Sequence, residues 1–526
     1  MERMKLNLFS WNFRKCLELT DSKLSNRKLW LYWFVILSTV FLIHLLTLTI
    51  SPPLWMDEAQ IIEHGRLMPF EPHSAWSVNW WSTADRPILL WSYLGPALQE
   101  MAFRITTPLP YGPRLASLFG AMVAATVLVG WLLSMKTYRP VSLILGLVFL
   151  LDPIFVQSYR GARVDCWALA FCFGACWAVR YAMSQMQGGR RFKSALAMGG
   201  ILAAVAFFVW PSSVLTYPLV LAELIVLLRE DYSMHRSGAG VLRSVAAFVV
   251  SGLAATFMLL IPVWHLLDTV FDDILPILSA SQPPYSLSPQ LKNLLDSFKY
   301  SQLLLVAALI TFSRGQGRLI AWAALLTLVY ILCTRLYLAR LIYLLPYAIA
   351  LVGGAYQIPL TLNTKVWRSI TNVGVSVLVI VSISLSLIVR PVLALSQKGE
   401  RDPNILFSIG RESIGDGPYR VYLGAWEFYF VGRQLEWHMF NEYVDRSHAD
   451  FISLLSSVDY AIFHWGDVDA DQAAQLSKAG LHFQKVLINY VQSDIGVKDQ
   501  VRLGAKPYGP YLLYKRQSSY EGMKAP

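Results

Sequence analysis

The stretch LWMDEAQIIEHG, residues 54–65, decides how the chain is read. It follows directly on an apolar run, 29–50, that is long enough to cross a bilayer. A span needs about 20 apolar residues, because each adds about 1.5 Å across a hydrocarbon core of about 30 Å. Asp57 and Glu58 therefore stand where the chain has just left a membrane, close to Trp55, Trp76, Trp80, Trp81 and Trp91. The tryptophans suit an interface belt, and one or two could instead stack on a sugar.

The whole chain supports a membrane reading. Of 526 residues, 55% are hydrophobic and 15% charged, and the mean hydropathy is +0.45, which points to a polytopic membrane protein. The net charge of +11 falls in short basic clusters between apolar runs. That is the pattern of membrane orientation and no nucleic-acid footprint. The first apolar run is preceded by about 30 polar and basic residues, unlike a cleavable signal peptide. The five cysteines suggest packing, with no disulfide framework or zinc site.

Eleven spans are expected, at 29–50, 112–134, 140–158, 164–183, 194–211, 213–229, 244–266, 299–313, 318–334, 337–356 and 369–390. Residues 87–105 are apolar too, but contain Pro96, Glu100 and Arg104. If they do not cross, the basic N-terminus and the clusters at 136–139, 190–193, 229–243, 314–318 and 365–368 share one side. That is the positive-inside arrangement, so 87–105 is read as a helix lying on the outer face. Residues 1–28 are then cytoplasmic, 29–390 form the membrane domain with an outer loop at 51–111, and 391–526 lie outside.

The tail is a small α/β domain by pattern. RVYLGAW (420–426), VDYAIFHW (458–465), LHFQKVLINYV (481–491) and GPYLLYKRQ (509–517) read as strands. DADQAAQLSKAG (469–480) reads as a helix stopped by Gly480. The acidic loop 268–298, with its Pro/Ser-rich stretch 279–290, is a candidate lid.

On that topology several charges gather at the outer rim. Asp57 and Glu58 are joined by Asp85 and Arg86 of ADRP, by Arg160, Arg163 and Asp165 of SYRGARVDCW, and by Arg340. A rim carboxylate can act as a general base, and an arginine fork suits phosphate oxygens. The alternatives are a carboxylate pair complementing a helix dipole, a local Arg–Asp pair, and arginines reaching native lipid phosphates.

These residues match a family pattern. An acidic pair after the first span, a basic–Pro step at Arg86–Pro87 and GPRLASLFGAMVAATVLVGWLL (112–133) come in that order. LDPIFVQSYRGARVDCWALAF (151–171) and ARLIYLLPYAIALVGG (339–354) follow. The chain resembles the GT-C superfamily of glycosyltransferases over about residues 50–390. It is most similar to the branch of protein O-mannosyltransferases and of enzymes that put aminoarabinose or galacturonic acid on lipid A.

The resemblance implies an all-α membrane domain that transfers a sugar, with inversion, from a polyprenyl-phosphate to a lipid, glycan or protein acceptor. The reaction would face the outer side of a bacterial inner membrane. It implies Asp57 as base with Glu58 beside it, and Arg86, Arg163, Asp165 and Arg340 as substrate-binding residues, to which the charges at the rim add Asp85 and Arg160. No nucleotide-binding loop is present, and the resemblance is compatible with a divalent cation or with none. One departure is FFVWPSS (207–213), where relatives often have a Leu-Thr-Lys step. A transporter or flippase of lipid-linked sugars is the other class considered. Rim rather than midplane charges and the lack of repeated halves speak against it.

Overall fold

The computed structural model describes residues 25–71, 74–78, 92–106, 110–186, 190–235, 238–267, 287–301, 303–304, 307, 318–333, 338–356, 365–441, 448–488 and 508–517. Among them, seven helices are long and apolar enough to cross a membrane, or eight if one bent pair counts as a span. The first elements carry the site: α1 (Asn26–Leu45), α2 (Met56–Gly65), α3 (Leu94–Thr106), α4 (Tyr111–Ser134), α5 (Arg139–Leu150), α6 (Pro153–Arg160) and α7 (Asp165–Ser184). Further spans follow at Arg191–Val209, Pro211–Met234, Gly238–His265 and Val373–Ser396, with shorter apolar helices at Leu319–Cys333 and Ala339–Ala355.

Helices in lipid gain little from hydrophobic burial against one another, so close packing and polar contacts must hold them. Gly200 shows the packing: a Cβ there would lie 2.1 Å from the Phe248 carbonyl oxygen, so the helices carrying the two residues touch backbone to backbone. Ser251 adds a polar contact by donating to the Ala197 carbonyl at 2.9 Å.

The span expected at 140–158 is two helices, bent by 56° between α5 and α6. Pro153 cannot continue an i→i−4 ladder, and Asp152 caps the new helix by accepting from the Ile154 amide at 3.0 Å. Most of 299–313 and residues 268–286 of the expected lid lie outside the described residues, and 287–298 of that loop belong to the helix Leu287–Tyr300.

Helix α3 has 13 residues, about 20 Å of rise, too short for the hydrocarbon core. It packs against α2 and α4. Gly65 makes the first contact possible, since a Cβ there would fall 2.1 Å from the Pro96 carbonyl oxygen.

The C-terminal domain is a five-stranded sheet in the order β2-β1-β3-β5-β4. Its strands are β1 (Arg420–Leu423), β2 (His438–Phe440), β3 (Tyr460–His464), β4 (Leu481–Leu487) and β5 (Tyr511–Arg516). β1 pairs in parallel with β2 and β3, and β5 runs antiparallel to β3 and β4. The helix Ala470–Lys478 is capped by Asp469, which accepts from the Gln472 amide at 2.8 Å, and Gly480 (φ +81°) turns the chain into β4. The domain sits on the first loop: Leu54, Ala59, Ile62 and Phe103 share one buried cluster with Val421, Phe428, Phe430 and Tyr511.

Candidate active site

Asp57 and Glu58 are adjacent in sequence and opposite in environment. Helix geometry turns successive side chains by about 100°, so one can face the interior while the next faces an opening. Glu58 is fully buried and paired face to face with Arg114 of α4: Nε to Oε2 at 2.8 Å and Nη2 to Oε1 at 2.5 Å. The rest of the guanidinium donates to the carbonyls of Leu48, Thr49, Pro52 and Pro53. Arg114 thus clamps the turn between α1 and α2.

Arg160 does the same from α6. It is buried, and it engages the Ser51 carbonyl (2.7 Å), His44 Nδ1 (2.8 Å) and carbonyl, and the Thr47 carbonyl (2.6 Å) and hydroxyl (2.9 Å). Those contacts occupy all five of its N–H donors. Arg160 therefore holds the end of α1 and the turn that follows it.

Asp57 faces the other way, 22% exposed, and meets Arg163 through Oδ2 and Nη1. Arg163 Nε donates to Asp165 Oδ2 at 2.7 Å. Asp165 in turn accepts from Tyr343 at 2.7 Å and from Ser158 at 3.2 Å. Asp165 also opens α7, where a carboxylate favours the helix dipole. Burial works against the charge on Arg163, but Asp165 and Asp57 more than offset it and raise its pKa.

The backbone around Arg163 is fixed as well. Ala162 takes a left-handed φ of +50°, a conformation with a steric cost for a residue with a Cβ, and so turns the chain between α6 and α7. The Arg163 carbonyl accepts from Ser117 at 2.9 Å, and Ser117 accepts from Gln99 of α3 at 2.6 Å. The short helix α3 therefore braces the loop that presents Arg163.

A second charged network joins the loop to the C-terminal domain. Buried Glu63 pairs with Arg66 (2.7 and 2.8 Å) and accepts from Tyr429 at 2.8 Å. Arg433 makes a two-pronged pair with buried Glu100 (2.8 and 3.1 Å), which Arg104 joins at 2.7 Å. Arg66 also reaches Glu71 at 2.5 Å and stacks its guanidinium on Trp76, 3.6 Å from the ring centre. Burial would raise the Glu63 carboxyl, but Arg66, Arg433 and Tyr429 hold it below the usual range.

The structure thus brings Asp57, Arg163 and Asp165 together. Arg340 lies on the short helix Leu338–Leu341, which packs against α6, and it makes polar contacts of its own. Asp85 and Arg86 lie outside the described residues. Tyr343 was not singled out from the sequence, where a tyrosine in the apolar run LIYLLP carries no distinguishing sign. Arg114 was quoted in the sequence but given no role. Its signal was present: an arginine opening an apolar span requires a partner. Among the described residues, no group of three or more His, Cys, Asp or Glu could hold a metal ion.

The fold and site now bear comparison with known structures. This chain is similar to the crystal structure of ArnT from Cupriavidus metallidurans bound to undecaprenyl phosphate, with a TM-score of 0.59 and 11% identity over 94% of this chain and 99% of that one. The apo state of that protein gives 0.57 at 12% identity, covering 93% and 98%. The cryo-EM structure of the arabinofuranosyltransferase AftD from Mycobacteria gives 0.52 at 14% identity over 95% of this chain and 40% of that one. The chain therefore has the fold of the GT-C membrane glycosyltransferases. No family model matches the chain, and a search of the curated proteins finds no match.

Proposed function

We propose that this protein is a membrane glycosyltransferase that moves a sugar from a polyprenyl-phosphate donor to an acceptor on the outer side of the membrane, inverting the anomeric centre. The observation that carries the reading is the partly open Asp57–Arg163–Asp165 cluster, where the loop after the first span meets the turn between α6 and α7 in a GT-C fold.

The roles follow from the chemistry. Asp57 takes the proton of the acceptor hydroxyl or amine, whose oxygen or nitrogen attacks the anomeric carbon. The bond from that carbon to the phosphate oxygen breaks, and its electron pair leaves with the phosphate. One displacement gives inversion. Arg163 is shared between Asp57 and Asp165. As Asp57 is protonated it releases Arg163, which then faces the charge growing on the leaving phosphate. Tyr343 and Asp165 position Arg163, and Arg340 supplies a second cation. Glu58–Arg114 and Arg160 hold the loop in place and take no part in the chemistry.

The test is release of undecaprenyl phosphate when purified protein is incubated with undecaprenyl-phosphate sugars and an envelope extract as acceptor. Release that depends on both substrates supports the reading. Binding or movement of the donor across vesicles without any release would replace it with the transporter.

A further inference from the structure

The C-terminal sheet reverses its winding between β1 and β3. The chain leaves β1 for β2 on one flank and returns to β3 on the other. At such a reversal the connections diverge, and α/β sheets place ligands beyond the carboxyl ends of the parallel strands.

Both carboxyl ends carry polar groups here. Glu427 follows β1 on the turn Trp426–Phe428, and His464 is the last residue of β3. His464 Nε2 lies 3.0 Å from both Glu427 oxygens, and its Nδ1 lies 3.0 Å from Asp467 Oδ2. Trp465 stands between His464 and Asp467 in the chain and is 58% exposed. Tyr511 opens β5 with its ring 5.5 Å from that of His464, and its hydroxyl is buried. The turn Trp426–Phe428 packs on α2, the helix that carries Asp57.

An exposed tryptophan alone is unexceptional. The combination is more specific. Each carboxylate has lone pairs beyond those facing His464 and can accept from hydroxyls. An open indole face covers the C–H face of a sugar ring. With His464 protonated, Glu427, Asp467 and His464 sum to one negative charge, which repels a phosphate and accommodates a neutral or amino sugar.

We propose that this end of the sheet is a carbohydrate-binding site that holds a sugar of the acceptor beside the helix bearing Asp57. The assignment to the acceptor rests on the glycosyltransferase reading; the binding itself does not, and can be measured without turnover.

Saturation-transfer NMR on the full-length protein in detergent tests it. The probes are the methyl pyranosides of glucose, galactose, mannose and N-acetylglucosamine, and oligosaccharides released by mild acid from the envelope of cells that make the protein. At least one probe should bind saturably. Trp465→Ala and Asp467→Asn, both at exposed positions, should each weaken it at least fivefold, whereas Asp57→Asn should not. Absence of binding by every probe overturns the proposal, as does binding that both variants leave unchanged. Failure to release undecaprenyl phosphate would instead strike the glycosyltransferase reading.

Discussion

Replacing Arg114 with alanine should unfold the protein more readily without touching its chemistry directly. Arg114 and Glu58 are both fully buried, with a two-pronged pair at 2.5 and 2.8 Å. Removing one partner leaves a buried charge uncompensated, which costs about 3–5 kcal/mol. Four carbonyls, those of Leu48, Thr49, Pro52 and Pro53, lose their donor as well. The loop can relax to recover part of that loss, so the pair alone sets the magnitude. A thermal unfolding scan in detergent should show the midpoint falling by roughly 5 °C or more. The double variant Arg114→Met, Glu58→Met removes both charges and should recover part of the fall. An Arg114→Ala midpoint equal to that of the parent would refute the structural role. So would a stable Arg114→Ala protein with turnover abolished, which would return Glu58 to the chemistry.

Other consequences are as direct. Arg433→Met removes the pair with Glu100 and should loosen the C-terminal domain, read as at least threefold faster tryptic cleavage between residues 397 and 404. His464 is disfavoured as a cation by burial, yet Glu427 and Asp467 push it up to about 9. Its stabilising effect should be fully present below pH about 6.5 and be lost as pH rises through about 9, so that His464→Asn flattens the midpoint-versus-pH curve in that window. If residues 87–105 lie along the outer face, cysteines placed at Lys136 and Ser194 should resist membrane-impermeant labelling from outside intact cells; efficient labelling at both would reverse the topology.

The sequence carried the fold wherever a local signal existed. Apolar run length located most spans, and alternation with a Gly480 stop located four of the five strands. β2 was missed because its three residues, His438–Phe440, are too short to show a period. The bend at Pro153 was missed because apolar composition continues through it. Within the site, Asp57, Arg163 and Asp165 could be named from charge in an unfavourable place. The division of labour between Asp57 and Glu58 could not. It depends on Arg114 and Arg163, which lie 56 and 106 residues away from their partners. Tyr343 meets Asp165 across 178 residues, a contact that only the packed helices reveal.

The most direct test of the account is Asp57→Asn. Asparagine keeps the shape of the side chain but cannot accept the proton, so loss of a general base should cost about 100-fold or more in turnover. The measurement is release of undecaprenyl phosphate, taken together with undecaprenyl-phosphate binding and the unfolding midpoint on the same preparation. Turnover should be lost, with binding and midpoint close to those of the parent. Turnover that survives largely intact in a folded Asp57→Asn protein would contradict it.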